Sequence, residues 1–572
     1  MNIESQRAAI QAAHQRGRLP TLVTYTKLSG PGWMQSAITL GGGSLAGSLY
    51  LGVLAGYQMM WLQPLAMVLG IVMLSAMAYV TLSTGRRPLS MINQEVNPVL
   101  GWGWAIATLL ANLVWCLPQF ALGSAALRQN LLPGLLGPDA MSETTGICVS
   151  VALMALGAAA AVWFYESGGR GAKTFEWVLK ILVAVIICCF LGVVIKLSGS
   201  EGGIDWRSVL SGFWPQPRLM LQPADAYTSF LEAAGQYGGF WSERIIGQQR
   251  DVLITAAATA VGVNMTFLLP YSLLDRGWDR DFRGLAVFDL SIGLFIPFLL
   301  VTGCVVIASA ARFHARGNAD LVAGTPVTQE QLVQAASPNI ASNYLRELDA
   351  RLVEEYGKQV VSGWTHEELA ARRAELPMAD RQLAAMLVKR DAFDLARSLE
   401  PLTGPEFSHY VFGIGVVAMT LSSIIVLMLI NGFVVCEMLG RPSGGTLHAV
   451  GAAMPLAIGV LGPFVMRGKA MFWLAVPTSI FGMILLPIAY GAFLFLMNHR
   501  NVLRDDLPRG GRRVAVNIAM GVAVALATFG AGWSIWTRTQ AIFGIQIRWI
   551  AIGVLALFLL AAWTCRRVSR QA

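Results

Sequence analysis

Gly30-Pro31-Gly32-Trp33-Met34-Gln35-Ser36-Ala37-Ile38-Thr39-Leu40-Gly41-Gly42-Gly43-Ser44 is the stretch that decides the fold of this 572-residue chain. It opens an apolar segment that runs to about Tyr57, long enough to cross a bilayer. Three consecutive glycines lie near its middle. Glycine is a poor helix former, so a run of three invites the helix to unwind at membrane depth. Unpaired backbone groups in lipid cost several kcal/mol each unless they are buried in protein or line a cavity. A break at that depth therefore reads as a binding site, as in secondary transporters built from interrupted helices.

The rest of the chain fits a membrane setting. It is 55% hydrophobic and only 13% charged, with mean hydropathy +0.57. A soluble protein would carry nearer a quarter charged residues. The net charge of +9 comes from basic residues in short loops, where they orient the spans, and does not indicate nucleic-acid binding. Seven cysteines, nearly all inside apolar segments and without a C-x-x-C pair, read as small buried hydrophobes. Met1–Pro20 lacks the apolar core of a cleavable signal, so the first span is expected to direct insertion.

Apolar runs predict an all-α polytopic membrane protein of about twelve spans: 31–57, 60–82, 102–126, 146–165, 174–197, 252–274, 284–311, 407–436, 447–466, 470–497, 513–536 and 546–565. This divides the chain into a polar segment 1–30, a membrane part 31–311, a soluble insertion 312–404 and a membrane part 405–572. Arginines and lysines concentrate in loops on the side of the N-terminus, which places both termini in the cytoplasm of a cell bounded by an inner or plasma membrane. The long loops 198–251 and 312–404 then lie outside. Within the insertion, Gln329–Ala336, Asn343–Gln359, His366–Glu375 and Asp380–Leu399 read as amphipathic helices. Thr365 and Glu368 form a capping box. The insertion carries no catalytic triad, phosphate loop or metal spacing, so among a lid, a partner-binding cap and a mere spacer a structural cap is expected, with a protein partner possible for it.

The sixth segment holds a second interruption, Ala260-Val261-Gly262-Val263-Asn264-Met265-Thr266-Phe267-Leu268-Leu269-Pro270-Tyr271. Pro270 lacks a backbone donor and its ring crowds the preceding turn. The interruption falls five segments after the first, the spacing of a five-plus-five inverted repeat with helices 1 and 6 broken. The substrate-binding groups expected there are Gly41, Gly42, Gly43, Ser44, Val261, Gly262 and Asn264. Asn112, Gln119, Thr266 and Tyr271 are candidates for a polar pathway. For Asn112 and Gln119, which share a face of helix three with Cys116, plain interhelical hydrogen bonding is the preferred reading. Ser422 and Ser423 read as packing residues. Asp289 near the start of the seventh span reads as a structural ion pair with Arg283. No histidine lies deep in a span, so a histidine proton relay is not expected.

These residues resemble the Nramp family of proton-coupled divalent-metal transporters, of LeuT-type fold. The resemblance rests on Gly30-Pro31-Gly32, on Gly41–Ser44 where the family reads Asp-Pro-Gly-Asn, and on Gly56-Tyr57-Gln58-Met59-Met60-Trp61. It continues in Ser422-Ser423 with Glu437-Met438-Leu439-Gly440, in Asp289, in Leu486-Pro487 and in Asn498–Leu503. It covers nearly all of the membrane part and leaves out Arg312–Gly404. The resemblance implies that the family's metal-binding Asp falls on Gly41 and its Asn on Ser44. Its methionine ligand falls on Asn264, a nearby histidine implicated in proton movement on Tyr271, and the acids of helix three on Leu117 and Phe120. A divalent cation is the family default and a symporter the family mechanism.

The site left by these departures has no carboxylate. A dehydrated divalent ion would find no protein charge to offset its lost hydration. Loss of the methionine disfavours manganese or iron, whereas Mg²⁺ keeps several waters and tolerates neutral oxygens. Half-helix N-termini favour an anionic group, and the volume left by three glycines suits a hydrated ion or a small zwitterion. The expected partners are therefore an ion or small-molecule substrate and the lipid bilayer, with no cofactor and the metal undetermined. A non-transporting receptor or scaffold, or a transporter of a small organic solute, is the competing reading. An enzyme is not expected, because no nucleophile–base pair or metal cluster is evident.

Overall fold

The structure is a computed structural model that describes residues 3–200, 203–317, 321–322, 332, 338–388, 392–404, 406–465, 486–537, 541–542 and 545–571. A hairpin of two polar helices, α1 (Ile3–Arg16) and α2 (Arg18–Leu28), precedes the membrane part. The first span is two helices, α3 (Pro31–Thr39) and α4 (Gly42–Ala55), set at 58° to one another. Then follow α5 (Leu62–Thr84), α6 (Pro98–Ala126), α7 (Glu143–Glu166) and α8 (Gly169–Ser198). The sixth span is again two helices, α9 (Gly238–Thr259) and α10 (Val263–Asp275). The seventh runs through α11 (Arg283–Leu290), a π-helical turn Ser291–Phe295, and α12 (Ile296–Phe313).

The insertion contributes α13 (Pro338–Tyr356), α14 (His366–Glu375), α15 (Met378–Met386) and α16 (Ala392–Thr403). The membrane part resumes with α17 (Phe412–Met438), α18 (Gly445–Gly459), α19 (Leu486–Asn498), α20 (Gly510–Trp536) and α21 (Ile547–Gln571). A two-residue antiparallel pair, β1 (Ala541–Ile542) with β2 (Ile545–Gln546), joins the last two. Among the described residues nine helices are long and apolar enough to cross a membrane, ten when α3 and α4 count as one span. The expected Gln329–Ala336 helix and the first part of the 470–497 span lie almost wholly outside the described residues.

α17 is the centre of the bundle. Its apolar faces are buried all round, as expected of a helix walled by others rather than by lipid. It packs on α3, α6, α8 and α18. The peripheral α21, by contrast, has a spanning stretch with none of it buried. The capping box is present: the Thr365 hydroxyl accepts from the Glu368 N–H, and the Glu368 carboxylate accepts from the Thr365 N–H at 2.8 Å.

Two expectations change. Residues 238–251 are not loop: α9 begins at Gly238. Its polar residues are tied down locally, with the Gln249 amide donating to the carbonyls of Leu219 (2.8 Å) and Gln222 (2.9 Å) and accepting from the Ala224 N–H at 2.9 Å. Glutamines fully used by a folded-back loop look from sequence like solvated ones. Nor does Pro270 break the sixth span. It sits inside α10, whose buried Phe267–Leu273 stretch absorbs the one lost bond, and the interruption falls at Ala260–Gly262.

Candidate functional site

At the first break α3 closes with the Leu40 N–H on the Ser36 carbonyl (2.8 Å), and Gly41 turns into extended backbone before α4 starts. Side chains collect the freed backbone groups. The Ser422 hydroxyl donates to the Ala37 carbonyl at 2.9 Å and Ser423 to the same oxygen at 3.3 Å. Ser44 donates to the Thr39 carbonyl. Gln119, from α6, accepts from the Gly42 N–H at 3.1 Å. The glycines differ sharply in the space around them. A Cβ on Gly41 would lie 2.5 Å from the Ser423 hydroxyl, and one on Gly42 would lie 2.9 Å from a Leu122 methyl. One on Gly43 would meet nothing within 4 Å. Gly41 is thus required by close approach to α17, and Gly43 borders open volume.

At the second break Asn264 turns back on its own helix. Its side-chain oxygen accepts from the Met265 N–H at 2.8 Å, which leaves its buried Nδ2 without a partner. Gly262 has no room for a side chain, because a Cβ would lie 2.6 Å from the Asn264 oxygen and 3.0 Å from the Trp115 ring. The Thr266 hydroxyl donates to the Val263 carbonyl and accepts from Trp104 Nε1 at 3.0 Å. Val261 packs its side chain onto Gly70 of α5.

The two breaks meet through residues that the sequence reading passed over. The Thr39 hydroxyl lies 3.1 Å from Met265 Sδ and donates to the Gln35 carbonyl at 2.8 Å. The Gln35 amide donates to the Met265 carbonyl at 3.4 Å, while its own Oε1 is buried and unpartnered. Gln35 and Thr39 stand four residues apart in an apolar run, hence on one helix face, and that spacing was the available signal. The N-termini of α4 and α10 both open here, each carrying the partial positive charge of a helix dipole. Among the described residues no group of three or more His, Cys, Asp or Glu side chains is placed to hold a metal. The candidate donors at the breaks are oxygens of Gln35 and Thr39, the Met265 thioether and backbone carbonyls.

The proposed pathway residues divide. Gln119 faces the first break. Asn112 does not: it donates to Asn431 at 3.4 Å, and Asn431 donates to the Gly451 carbonyl at 3.0 Å, an interhelical brace between α6, α17 and α18. Tyr271 lies two turns beyond Asn264, stacked on Phe267, accepting from the Leu89 N–H at 3.2 Å and bonded to Glu437. Glu437 pairs with Arg87 at 3.2 Å.

The N-terminal face is sealed by a second set of contacts. Asp289, 1% exposed, accepts from the Gly30 N–H at 3.1 Å and the Gly32 N–H at 2.6 Å. The expected ion pair with Arg283 does not form, and Arg283 reaches Asp506 at 2.8 Å instead. Orphan N–H groups at the start of α3 already attract a carboxylate, and two charge-assisted bonds to fixed backbone cost no partner side-chain entropy. The Ser36 hydroxyl donates to the Gly293 carbonyl at 2.6 Å, in the π-helical turn, and Lys180 donates to the Ser29 carbonyl at 2.9 Å. His448, on the first turn of α18, is fully buried with Nδ1 2.8 Å from Glu166.

Interrupted helices that meet inside a helical bundle are the arrangement of LeuT-type membrane transporters. The chain belongs to the natural resistance-associated macrophage protein-like (Nramp) family, whose model matches residues 32–342 and 381–537. This is a family of transporters and not of enzymes. The chain is 26% identical over 175 residues to the metal transporter Nramp2 of Oryza sativa subsp. japonica, an alignment covering 31% of each chain. It is 33% identical over 110 residues to the metal transporter Nramp2 of Populus trichocarpa, covering 19% of this chain and 20% of the relative. The aligned parts thus span a third or less of those relatives. The manganese transporter of Eremococcus coleocola shares the fold: TM-score 0.60 at 14% identity, over 96% of this chain and 95% of that one.

Proposed function

We propose that the protein is a secondary transporter that carries a divalent cation, Mg²⁺ by family default, between the breaks at Gly41–Gly43 and Val261–Asn264. The observation that carries this reading is the convergence of Gln35, Thr39, Asn264 and Met265 on the junction of two half-helices, with two buried polar atoms left unpaired. Buried polar atoms without partners are uncommon and costly, and a bound substrate or its waters would satisfy them. Gly43 supplies the open volume, and the backbone of Gly41, Gly42, Val261 and Gly262 frames it. Ser44 holds the shape of the break through Thr39. With no carboxylate among these groups, the ion travels with part of its water shell.

A second reading has its own support. Met265 Sδ sits beside Thr39, and a thioether is a soft donor suited to a transition metal. Saturable uptake of Mg²⁺ and Mn²⁺ into proteoliposomes separates the two. The hydrated-ion reading expects Mg²⁺ transport that Asn264→Ala and Gly42→Leu abolish and Met265→Ala spares. The soft-donor reading expects Mn²⁺ transport that Met265→Ala abolishes. Absence of saturable uptake of any cation would return the protein to a receptor, a scaffold or a carrier of organic solutes.

In the orientation we propose, the face holding α1, Asp289 and Arg283 is cytoplasmic, both termini are inside an inner or plasma membrane, and the 312–404 insertion is extracytoplasmic. The arginine-rich short loops support it. Selective external biotinylation of a cysteine placed at exposed Glu375, against one placed at Arg16, tests it.

A further inference from the structure

The insertion is joined to the outer half of the sixth span by charged groups buried away from water. Arg351 on α13 and Asp380 on α15 are each 1% exposed and lie 3.2 Å apart. Trp241 of α9, fully buried, donates its indole N–H to Asp380 at 2.6 Å. The Arg351 guanidinium covers the ring of Tyr237, at 3.0 Å from its centroid, and also bonds Glu355 at 2.8 Å. One turn along, Arg244 of α9 pairs with Glu347 of α13, whose side chain is 3% exposed. Charges in such surroundings are held by their partners alone, because water cannot replace either one at low cost. The buried Arg351–Asp380 pairing and the part-buried Arg244–Glu347 pair on the next turn fix both the position and the rotation of α9 against the insertion.

Glu347, Arg351 and Asp380 all fall in residues 343–380, the stretch that the family model passes over. The residues they grip, Tyr237, Trp241 and Arg244, belong to the part it matches. α9 runs from this grip to the break, roughly 28 Å at 1.5 Å per residue. It is also tied to α4, the outer half of the other broken span, by the Tyr50 hydroxyl donating to Gln248 at 2.6 Å. At its far end the insertion continues into α16, which packs on α4, α8 and α12.

We propose that the 338–386 segment is a clamp on α9: insertion and outer half-helix form one rigid unit, so α9 cannot tilt at the break unless the insertion moves with it. Its added residues thereby set how readily that side of the transporter opens. The proposal concerns motion and does not depend on which ion is carried.

Spin labels at Glu243→Cys on α9 and Glu375→Cys on α14, in the full-length protein in nanodiscs, test it by pulsed electron resonance. The expected result is one narrow distance that Mg²⁺, Mn²⁺ and pH leave unchanged. Arg351→Met and Asp380→Asn should broaden it, and hydrogen exchange over 238–254 should rise at least tenfold. Arg86→Ala, which breaks the partly exposed pair with Glu95 well outside the clamp, should change neither. Arg244→Gln, whose head is a third exposed, gives the same readout if the buried variants do not fold. A distance that shifts with ligand in the parent protein, or buried-pair variants with parental distance and exchange, overturns the clamp.

Discussion

Replacing Asp289 with alanine should loosen α3 from the seventh span by an amount the structure fixes within a narrow range. The carboxylate accepts two backbone N–H groups, from Gly30 and Gly32, in a buried pocket. A hydrogen bond to a charged group contributes about 1.5–3 kcal/mol, so losing two costs roughly 3–6 kcal/mol. Solvent reaching the freed N–H groups would recover part of this, and the lower end, about 3 kcal/mol, is the working figure. At about 1.4 kcal/mol per decade, local opening of α3 becomes more than a hundredfold more frequent. Hydrogen exchange followed by mass spectrometry over residues 30–39 reads that change directly. Asp289→Asn keeps one acceptor and should fall between the parent and alanine. If the alanine variant is folded and its α3 amides exchange within threefold of the parent, Asp289 does not hold this helix and the sealing role assigned to it is wrong.

The glycines of the first break should separate by their surroundings: Gly41→Ala, driven into Ser423, should lower stability by about 1–3 kcal/mol, while Gly43→Ala should be near neutral in thermal unfolding. Gln119→Leu strands the Gly42 N–H and should cost about 1–3 kcal/mol, seen as a lower melting temperature than that of Asn112→Leu. His314, just beyond the seventh span, bonds the Val53 carbonyl at 3.1 Å, and burial pulls its pKa below the ordinary histidine value. Its folded pKa lies below its unfolded one, so the unfolded chain binds more protons and stability falls as pH drops through about 6.5. His314→Gln should flatten that part of the stability profile, and an unchanged slope would remove His314 as its source.

The membrane architecture was legible because its signals are compositional: apolar runs of spanning length, and glycines where the first and sixth runs stop. The first break fell where Gly41–Gly43 put it, and Gly262 marked the second. Proline misled, since a single missing donor at Pro270 is tolerated in a closely packed helix, whereas the extended backbone at Gly262 ends one helix and caps the start of the next. The true partner of Asp289 could not be read, because backbone N–H groups carry no residue signature and Arg283 was the nearest visible charge. Gln35 and Thr39 were readable in principle, as a polar pair on one face of α3. Their connection to Met265 needed the crossing of two spans that are far apart in sequence.

The partner list at the breaks also decides which residues can select a cargo. Ala37, Thr39 and Val263 carbonyls and the Gly42 N–H are taken by Ser422 and Ser423, Ser44, Thr266 and Gln119. A substrate would have to displace those bonds and would gain little net energy by doing so. The unpaired atoms, Gln35 Oε1 and Asn264 Nδ2, impose no such exchange. The reversed Asn264 amide would set a donor against the Met265 N–H, so the oxygen takes that bond and the nitrogen stays unpaired. One acceptor and one donor thus remain, which a water-carrying cation meets through different waters and a bare ion does not. Gln35→Leu and Asn264→Leu should therefore alter the order of preference among cations in competition uptake, while Ser44→Ala should lower melting temperature and leave that order intact. Should Ser44→Ala reorder the cations and the two leucine variants leave them alone, the glycine-rich turn itself is the selecting element.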